Sequence, residues 1–249
     1  MVRRSGSIWG QLGLVAVVMG VWWFYSRDGR VPVILLPPIE DVMVMMPDLA
    51  TTPTVWSAIG VTVMSVACAF VASAAGGLLV GLVAGRTHYG TRLVEMWLVW
   101  AQAVPLILLY PVVVLIFGLG PSSKIVFAGV YGFFPIALNA VRGVDAAPLR
   151  YRQAAASMGA SRWQLLRYVQ LPAARPMILS GLRLTAALNF LAVIAGEILA
   201  SSNGIGYLIA NASYGFRVAE MYGYIIIALV LVVVFNRAVT RAEDRTVVF

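Results

Sequence analysis

The sequence predicts an all-α protein of the polytopic membrane class, and three observations support this prediction. The 249 residues are 61% hydrophobic and only 11% charged, with a mean hydropathy of +0.90. A soluble domain of this size does not need so much apolar surface, so lipid is the solvent for much of the chain. Six apolar segments have the length of a membrane span. The basic residues fall mainly between alternate segments, as loops on one side of a membrane do.

The six apolar segments define the predicted transmembrane helices. A bilayer-crossing helix needs roughly 20 predominantly apolar residues. The segments lie at about 8–25, 55–85, 93–117, 125–141, 177–200 and 221–239. The first lacks a small-residue cleavage site and ends in aromatic residues, so we interpret it as an uncleaved helix. The fourth is short and contains Pro135, so its ends are the least defined. We expect a single transmembrane domain, residues 1–249.

The distribution of basic residues predicts the orientation. Six spans place both termini on one side of the membrane. With the termini inside, the inner segments hold 13 basic residues: Arg3, Arg4, Arg86, Arg92, Arg142, Arg150, Arg152, Arg162, Arg167, Arg175, Arg237, Arg241 and Arg245. The outer segments hold 4, namely Arg27, Arg30, Lys124 and Arg217, and Arg183 lies within a span. The positive-inside rule therefore predicts that both termini and residues 142–176 lie in the cytoplasm. The membrane is expected to be the inner, or plasma, membrane of the cell.

The long cytoplasmic loop, about residues 142–172, has a helical pattern. It contains QAAASMGASRWQLLRYVQLP, residues 153–172. The alanines favour helix, and Gly159 predicts a break before a second helix. That second helix has an apolar side made of Trp163, Leu165, Leu166 and Val169. We expect Pro172 to end it before the next span. From pattern alone, an arginine-rich amphipathic helix lying on lipid explains this loop as well as a protein-docking element does.

The same twenty residues resemble the EAA motif of binding-protein-dependent ABC importer permeases. That motif is Glu-Ala-Ala, three residues, Gly, nine residues, a branched apolar residue, any residue, and Leu-Pro. The matching positions are Gln153, Ala154, Ala155, Gly159, Val169, Leu171 and Pro172. The first position departs from the motif, because Gln153 can donate and accept hydrogen bonds but carries no charge. Asp145 is a candidate substitute for the missing acid.

The resemblance covers about residues 35–245. LPPIEDVMVMMPDL, residues 36–49, is similar to the segment after the first span in permeases for sulfonates, taurine and nitrate. Residues 104–144 resemble their third and fourth spans, and residues 181–209 resemble their fifth span with its Gly-x-Gly-Tyr exit. The resemblance implies a type I ABC importer fold in which two permease subunits sit on two ATPase subunits.

The resemblance also implies the roles of particular residues. In this family the EAA loop forms a coupling helix that docks on the ATPase. The residues that this role assigns here are Gln153, Ala154, Ala155, Gly159, Ala160, Arg162, Leu171 and Pro172. Arg162 and Arg167 could pair there with acidic groups or with lipid headgroups. A separate extracytoplasmic protein would deliver the solute, and the family favours a small organic anion such as a sulfonate or taurine, with nitrate and vitamin precursors as further options. A homodimer is the simplest assembly, and Gln153 leaves room for a heterodimer.

The chain is not expected to carry chemistry of its own. GLGPSSKI, residues 118–125, departs from a phosphate-binding loop at Ser123 and Ile125, and we place it in an outer loop. ATP would therefore be bound and hydrolysed by the partner subunit, and no other cofactor is expected. One cysteine and one histidine cannot form a metal cluster. We interpret Cys68 as a buried apolar residue and His88 as a residue that faces solvent or lipid headgroups, and we expect no catalytic residue. The basic residues do not alternate with aromatics as a nucleic-acid surface requires.

Polar residues within the spans are the pathway or gate candidates, because lipid makes them costly to bury. Glu197 lies near the outer end of its span and could pair with Arg217 or line an outer gate. Arg183 could reach back to the cytoplasmic surface or line the inner vestibule. Asn139 and Gln102 could form helix–helix hydrogen bonds or line the pathway. Separately, Pro105, Pro111 and Pro135 are expected to kink helices around a cavity.

Two other classes of protein remain as alternatives. The first is an integral-membrane enzyme or assembly factor whose basic loop binds lipid, which would have no stable ATPase partner. The second is a secondary transporter, which would need ionisable residues near the bilayer midplane and often has inverted repeats. The sequence shows only Glu197 and Arg183 within spans, neither of them central, and no clear repeat.

Overall fold

A computed structural model describes residues 5–27 and 31–246, and within these ranges the chain forms helices and no strands. Predictions for residues 1–4, 28–30 and 247–249, including those for Arg3, Arg4 and Arg30, lie outside the described residues. The helices are α1 Ser5–Arg27, α2 Ile39–Thr51, α3 Pro53–Ala84, α4 His88–Ala103, α5 Tyr110–Phe117, α6 Pro121–Asp145, α7 Leu149–Ser157, α8 Arg162–Leu165, α9 Leu171–Leu199, α10 Ile205–Tyr214 and α11 Val218–Thr246.

Four stretches of helix in the described part are long and apolar enough to cross a membrane, and a bent pair makes a fifth. The four are α3, α6, the continuous helix from Arg162 to Leu199, and α11 up to Ala242. The first predicted span coincides with α1, which is helical but is not among these candidates. The all-α, multi-span prediction is confirmed with four to five spans, and the sixth stays a prediction.

The third predicted span is not a straight helix. It consists of α4, a short 3₁₀ turn at Leu106–Leu109, and α5, and the two halves are bent by 71°. The bend lies at Pro105, and Val104 before it has an extended backbone with ψ 126°. A proline disfavours helical geometry in the preceding residue, which explains the break. Pro111 lies in the first turn of α5, where it fits without a kink, and Pro135 lies inside α6.

The prediction that Pro172 ends a helix is wrong. Residues 162–199 form one continuous helix, and Pro172 follows a π-helical turn at Leu166–Gln170. In a regular α-helix the proline ring would clash with the carbonyl of Tyr168, four residues back. Tyr168 lies within the π turn, where the hydrogen-bond ladder is already wider, so the helix passes through the proline. The second helix of this loop is thus continuous with a candidate membrane span.

The core is a close packing of α3, α6 and α9. Small residues on α3 allow this, since a Cβ added at Gly77 would lie 2.4 Å from Ile136, and one at Gly81 would lie 2.2 Å from the Cβ of Ala140. Membrane helices pack through small residues because lipid removes the hydrophobic drive for association. Further out, one apolar cluster includes Tyr110 of α5 and Phe127 of α6, whose rings are 5.0 Å apart. This three-helix core fixes the ends of the helices from which the candidate sites are built.

Candidate coupling loop and buried polar contacts

The loop between α6 and α9 contains a helix, a glycine break and a second helix, as predicted. Helix α7 ends in a Schellman motif: the N–H of Ala160 donates to the carbonyl of Ala155, and the N–H of Gly159 donates to that of Ala156. Gly159 has φ +75°, a left-handed conformation that favours glycine. Its side is open, with no atom within 4 Å of a Cβ built there. Glycine is therefore favoured at position 159 by the left-handed backbone and not by a lack of space for a side chain.

The second helix begins at a reciprocal cap. The hydroxyl of Ser161 accepts from the backbone N–H of Gln164 at 3.3 Å, and the side-chain carbonyl of Gln164 accepts from the N–H of Ser161 at 2.7 Å. This capping box starts α8 only two residues after Gly159. The sequence analysis did not identify it, although Ser-x-x-Gln is its visible signature.

The residues assigned to coupling divide into an exposed group and an anchoring group. The exposed ones are Gln153, Ala154, Gly159, Arg162 and Pro172. Ala155 is buried, and Ala160 and Leu171 are half-buried. The structure thus places five of the eight on the surface of one loop. Of the other three, Leu171 packs against the buried cluster of Val144, Leu166 and Ala174.

Leu166 is the main anchor of the loop. It is 2% exposed and packs with Val144 of α6 and Ala174 of α9. The sequence analysis placed it on an apolar side together with Trp163, which is instead 59% exposed. The anchor was therefore present in the pattern, but periodicity alone did not separate the buried residue from the exposed one. Leu166 therefore packs the loop against α6 and α9.

An open, mainly apolar groove of about 540 Å³ lies between α7 and the start of α9. Its lining includes Ala154, Ala155, Met158, Tyr168 and Val169. Met158 is 81% exposed and Tyr168 is 69% exposed. Exposed apolar surface with a concave shape is typical of a protein-binding or lipid-binding surface. The groove adjoins the exposed motif residues.

Asp145 is engaged within the chain. Its carboxylate lies 3.1 Å from Nδ1 of His88 in α4 and 3.7 Å from a guanidinium nitrogen of Arg152 in α7. The acid is mostly buried, whereas His88 is largely exposed, as expected for that residue. These pairs link the start of α4 and the end of α6 to Arg152 of α7, the residue before Gln153. Asp145 thus holds α7 close to the end of α6 through its contact with Arg152.

Glu197 is the most deeply buried acid in the described part of the chain, at 1% exposure. Its carboxylate accepts from the hydroxyl of Thr62 in α3 at 2.8 and 3.0 Å and from the backbone N–H of Gly206 in α10 at 2.9 Å. The proposed pairing with Arg217 is wrong, since Arg217 binds Glu220 at 2.6 Å. The Glu197 carboxylate therefore links α9 to α3 and α10 by hydrogen bonds.

The prediction that Lys124 lies in an outer loop is wrong. It lies in the first turn of α6, because Gly120 and Pro121 start the helix earlier than the hydropathy suggests. Its side chain is 1% exposed. Its ammonium donates to the carbonyls of Leu119 and Gly120. The short segment resembling a phosphate-binding loop therefore lies partly within a helix.

The remaining pathway candidates are not brought together. The amide of Asn139 donates to the carbonyl of Pro135 in its own helix at 2.8 Å, so the expected helix–helix bond is not formed by this group. Gln102 and Arg183 are exposed on α4 and α9. Cys68 is also exposed, so its interpretation as a buried residue is wrong. It lies on the side of α3 that faces away from the core.

Other polar residues form the helix–helix contacts. The amide of Asn189 in α9 donates to the hydroxyl of Ser73 in α3 at 2.8 Å, and the hydroxyl of Thr185 donates to the carbonyl of Gly132 in α6 at 2.9 Å. The hydroxyl of Tyr110 donates to carbonyls near the end of α9. The sequence analysis missed these residues. The signal that could have identified them is their position as polar residues within apolar segments. Within the described residues, no group of His, Cys, Asp and Glu could hold a metal.

Comparisons with known proteins agree with this architecture. Residues 77–246 match the family described as binding-protein-dependent transport system inner membrane component. The chain is 29% identical over 206 residues to the taurine transport system permease protein TauC of Escherichia coli, covering 81% of this chain and 75% of that protein. It is 27% identical to the formylaminopyrimidine transport permease protein ThiX of Halalkalibacterium halodurans, covering 92% and 90%.

A solved structure has a similar fold. It is one of the inward-facing conformations of the MetNI methionine ABC transporter, with a TM-score of 0.61 and 23% sequence identity. The similarity covers 77% of this chain and 94% of the matched chain. At this identity the match shows the fold alone, which is that of a type I ABC importer permease.

Proposed function

The chain belongs to the family of binding-protein-dependent transport system inner membrane components, the permease subunits of ABC importers, and we propose that its loop at residues 149–172 docks on a separate ATP-hydrolysing subunit. The observation that carries this proposal is the exposed motif surface and apolar groove anchored to the core through Leu166. A docking element needs an exposed face for its partner and a rigid connection to the spans.

The connection to the membrane is a continuous helix. Residues 162–199 run from α8 through the π turn into α9 without a break. A displacement of the loop by a closing ATPase would therefore be transmitted along α9, because a packed helix moves as a rigid body. The Asp145–Arg152 contact adds a second connection, from α7 to the inner end of α6.

The partner subunit would bind and hydrolyse ATP. The permease sequence has no phosphate-binding loop of its own. We propose two permease copies in the assembly, with a heterodimer as the variant that would supply the acid missing at Gln153. Lipid would cover the exposed apolar sides of the spans. A separate extracytoplasmic binding protein would deliver the solute, as the family's description implies.

The proposed orientation has both termini in the cytoplasm of a multi-pass inner-membrane protein. With Lys124 removed from the outer loops, the basic residues divide 13 to 3 in favour of the inner side, counted over the whole sequence. The positive-inside rule then places α7 and α8 in the cytoplasm, where an ATPase subunit would lie.

The solute is proposed to be a small organic anion. Taurine in the name of one relative and a pyrimidine in that of another indicate small polar solutes. Glu197 does not oppose an anion, since its carboxylate is 1% exposed and bound by Thr62 and Gly206. Asn139, Arg183 and Gln102 remain pathway candidates, and Arg183 would supply the positive charge.

The experiment that tests this function is purification of the tagged chain from native membranes in mild detergent. Mass spectrometry of what co-purifies should find an ATP-binding subunit in equal amount, and a second permease sequence would indicate a heterodimer. A chain isolated without an ATPase, even after mild cross-linking, would contradict the proposal. It would favour the lipid-binding alternative for the basic loop.

A further inference from the structure

A small cavity lies between the N-terminal end of α6 and the C-terminal end of α9. Its volume is about 10 Å³, and its lining includes Ser65, Gly120, Lys124, Glu197, Ser201 and Asn203. Val61, Leu119 and Pro121 also line it, so polar groups make up only part of its wall. A cavity of this size is close to the smallest that holds one water molecule, and water binds there only when several polar groups surround it.

Two opposite charges are buried against this cavity. Lys124 and Glu197 are each 1% exposed. Neither is the direct hydrogen-bond partner of the other in the described part of the chain, because Lys124 donates to two carbonyls while Glu197 accepts from Thr62 and Gly206. A charge buried without a compensating partner is strongly unfavourable. Some group must complete the interaction across the gap.

A third polar group lines the same cavity. Ser65 is fully buried, and its hydroxyl has no hydrogen-bond partner among the described residues. The ammonium of Lys124 has three donors, of which two are used by carbonyls. The carboxylate of Glu197 has lone pairs beyond those that receive Thr62 and Gly206. One donor, one hydroxyl and one acceptor therefore remain available on residues that line a space the size of a water molecule.

We propose that this cavity binds one ordered water molecule, which bridges Lys124, Ser65 and Glu197, and that Lys124 is the buried counter-ion of Glu197. A water accepts from the free ammonium proton and donates to the carboxylate, while Ser65 completes its hydrogen bonds. A metal cation is disfavoured because the ammonium already supplies the positive charge. The site is independent of the proposed coupling loop.

The bridge joins four parts of the chain at the end of α9 remote from the cytoplasmic loop. Ser65 belongs to α3, Lys124 to α6 and Glu197 to α9, and Glu197 also binds the backbone of Gly206 in α10. Separation of α6 from α9 at this end would expose both charges. Lys124 is thus a positioning residue for this end of the bundle.

The test uses the purified transporter complex in lipid nanodiscs and the variants Lys124→Met, Glu197→Gln and the double variant. Each single change leaves one charge or polar group without its partner, and Lys124→Met should lower the thermal midpoint by roughly 10 °C. The double variant removes both charges and should recover at least half of that loss. Additive losses would overturn the counter-ion assignment.

A second measurement does not depend on the variants folding. A cryo-electron microscopy map of the wild-type complex, at a resolution that shows ordered water, should contain a solvent peak within hydrogen-bond distance of Lys124 Nζ, Ser65 Oγ and a Glu197 carboxylate oxygen. A direct contact between Lys124 and Glu197 with no solvent peak would overturn the water site, as would a dry cavity with Ser65 bonded elsewhere.

Discussion

The hydroxyl of Thr62 donates to the carboxylate of Glu197 at 2.8 Å, across 135 positions of sequence. The same hydroxyl oxygen accepts from the backbone N–H of Ile205 at 3.0 Å. One side chain in α3 therefore holds the last turn of α9 and the first turn of α10 together. Because Thr62 and Glu197 are buried, bulk water cannot reach them to replace the contact if Thr62 is changed.

Replacing Thr62 with Val should destabilise the protein. The substitution keeps the shape but leaves the Glu197 carboxylate short of one donor and the Ile205 N–H without its acceptor, a cost of about 1.5–3 kcal/mol. Thr62→Ser is the matched control, because it keeps the hydroxyl and loses one methyl group. Thermal unfolding of the two variants in the same detergent measures the difference. Equal midpoints would show that the hydroxyl contributes little.

Gly81 and Gly60 provide a matched pair within α3. A Cβ at Gly81 would lie 2.2 Å from the Cβ of Ala140, whereas at Gly60 nothing lies within 4 Å. Gly81→Ala should therefore force α3 and α6 apart and cost about 1–3 kcal/mol, while Gly60→Ala should be neutral or stabilising by up to about 1 kcal/mol. Denaturation of both variants, with yield from the membrane as a second reading, checks this contrast.

Much of this architecture was predictable, since hydropathy depends only on local composition. The spans at α3, α6, α9 and α11 were located to within a few residues, apart from longer ends. The Gly159 break was also predicted, because a glycine between helix formers is a local signal. The bend at Pro105 was expected only as a kink, and its 71° angle depends on packing.

The partners of buried polar residues were not predictable from one sequence. Glu197 was recognised as unusual, but its binding to Thr62 depends on which faces of α3 and α9 meet. Lys124 was misplaced because the apolar segment begins only at about position 125, whereas the helix begins at Pro121. The passage of the helix through Pro172 required the upstream π turn, which leaves no clear sequence signal.

The left-handed backbone at Gly159 predicts a graded effect of substitution on coupling. Valine at φ +75° is strained by roughly 1–2 kcal/mol or more, whereas asparagine tolerates this region. Gly159→Val should reduce solute-stimulated ATP hydrolysis in the reconstituted transporter, and Gly159→Asn should retain most of it. Membrane insertion and ATPase binding of both variants serve as the control. Indistinguishable activities would show that the loop conformation at Gly159 does not matter for coupling.

The internal contacts of Asp145 predict a loss of coupling without a large loss of stability. Asp145→Ala removes the anchor of Arg152 and should loosen α7, lowering solute transported per ATP hydrolysed by several-fold. The unfolding free energy should change by only about 1 kcal/mol, because the Arg152 contact is long, at 3.7 Å, and the other partner, His88, is largely exposed. Glu95→Ala breaks another ion pair, with Arg142 of α6, which involves no residue of α7 or α8. If both variants lower the transport ratio equally, Asp145 has no specific role.

The exposed position of Ala154 in the groove supplies a further prediction. Ala154 is exposed and lines the groove, so Ala154→Trp should fold normally yet prevent close approach of a partner. ATPase subunits retained on the purified permease should fall at least tenfold, which corresponds to about 1.4 kcal/mol of binding free energy. Ala154→Ser is the control of similar size, and retention by both variants would exclude this face as the docking surface.

The measurement that tests the central claim most directly is photo-crosslinking from the loop. A photoreactive amino acid at Gln153, in the assembled transporter, should form a cross-link to an ATP-binding subunit. The same amino acid at Trp56, which is exposed near the start of α3, should form none with that subunit. A cross-link from Gln153 that increases or shifts with ATP would support docking that follows ATPase closure. Capture of lipid alone from Gln153, with the ATPase present in the sample, would contradict the account.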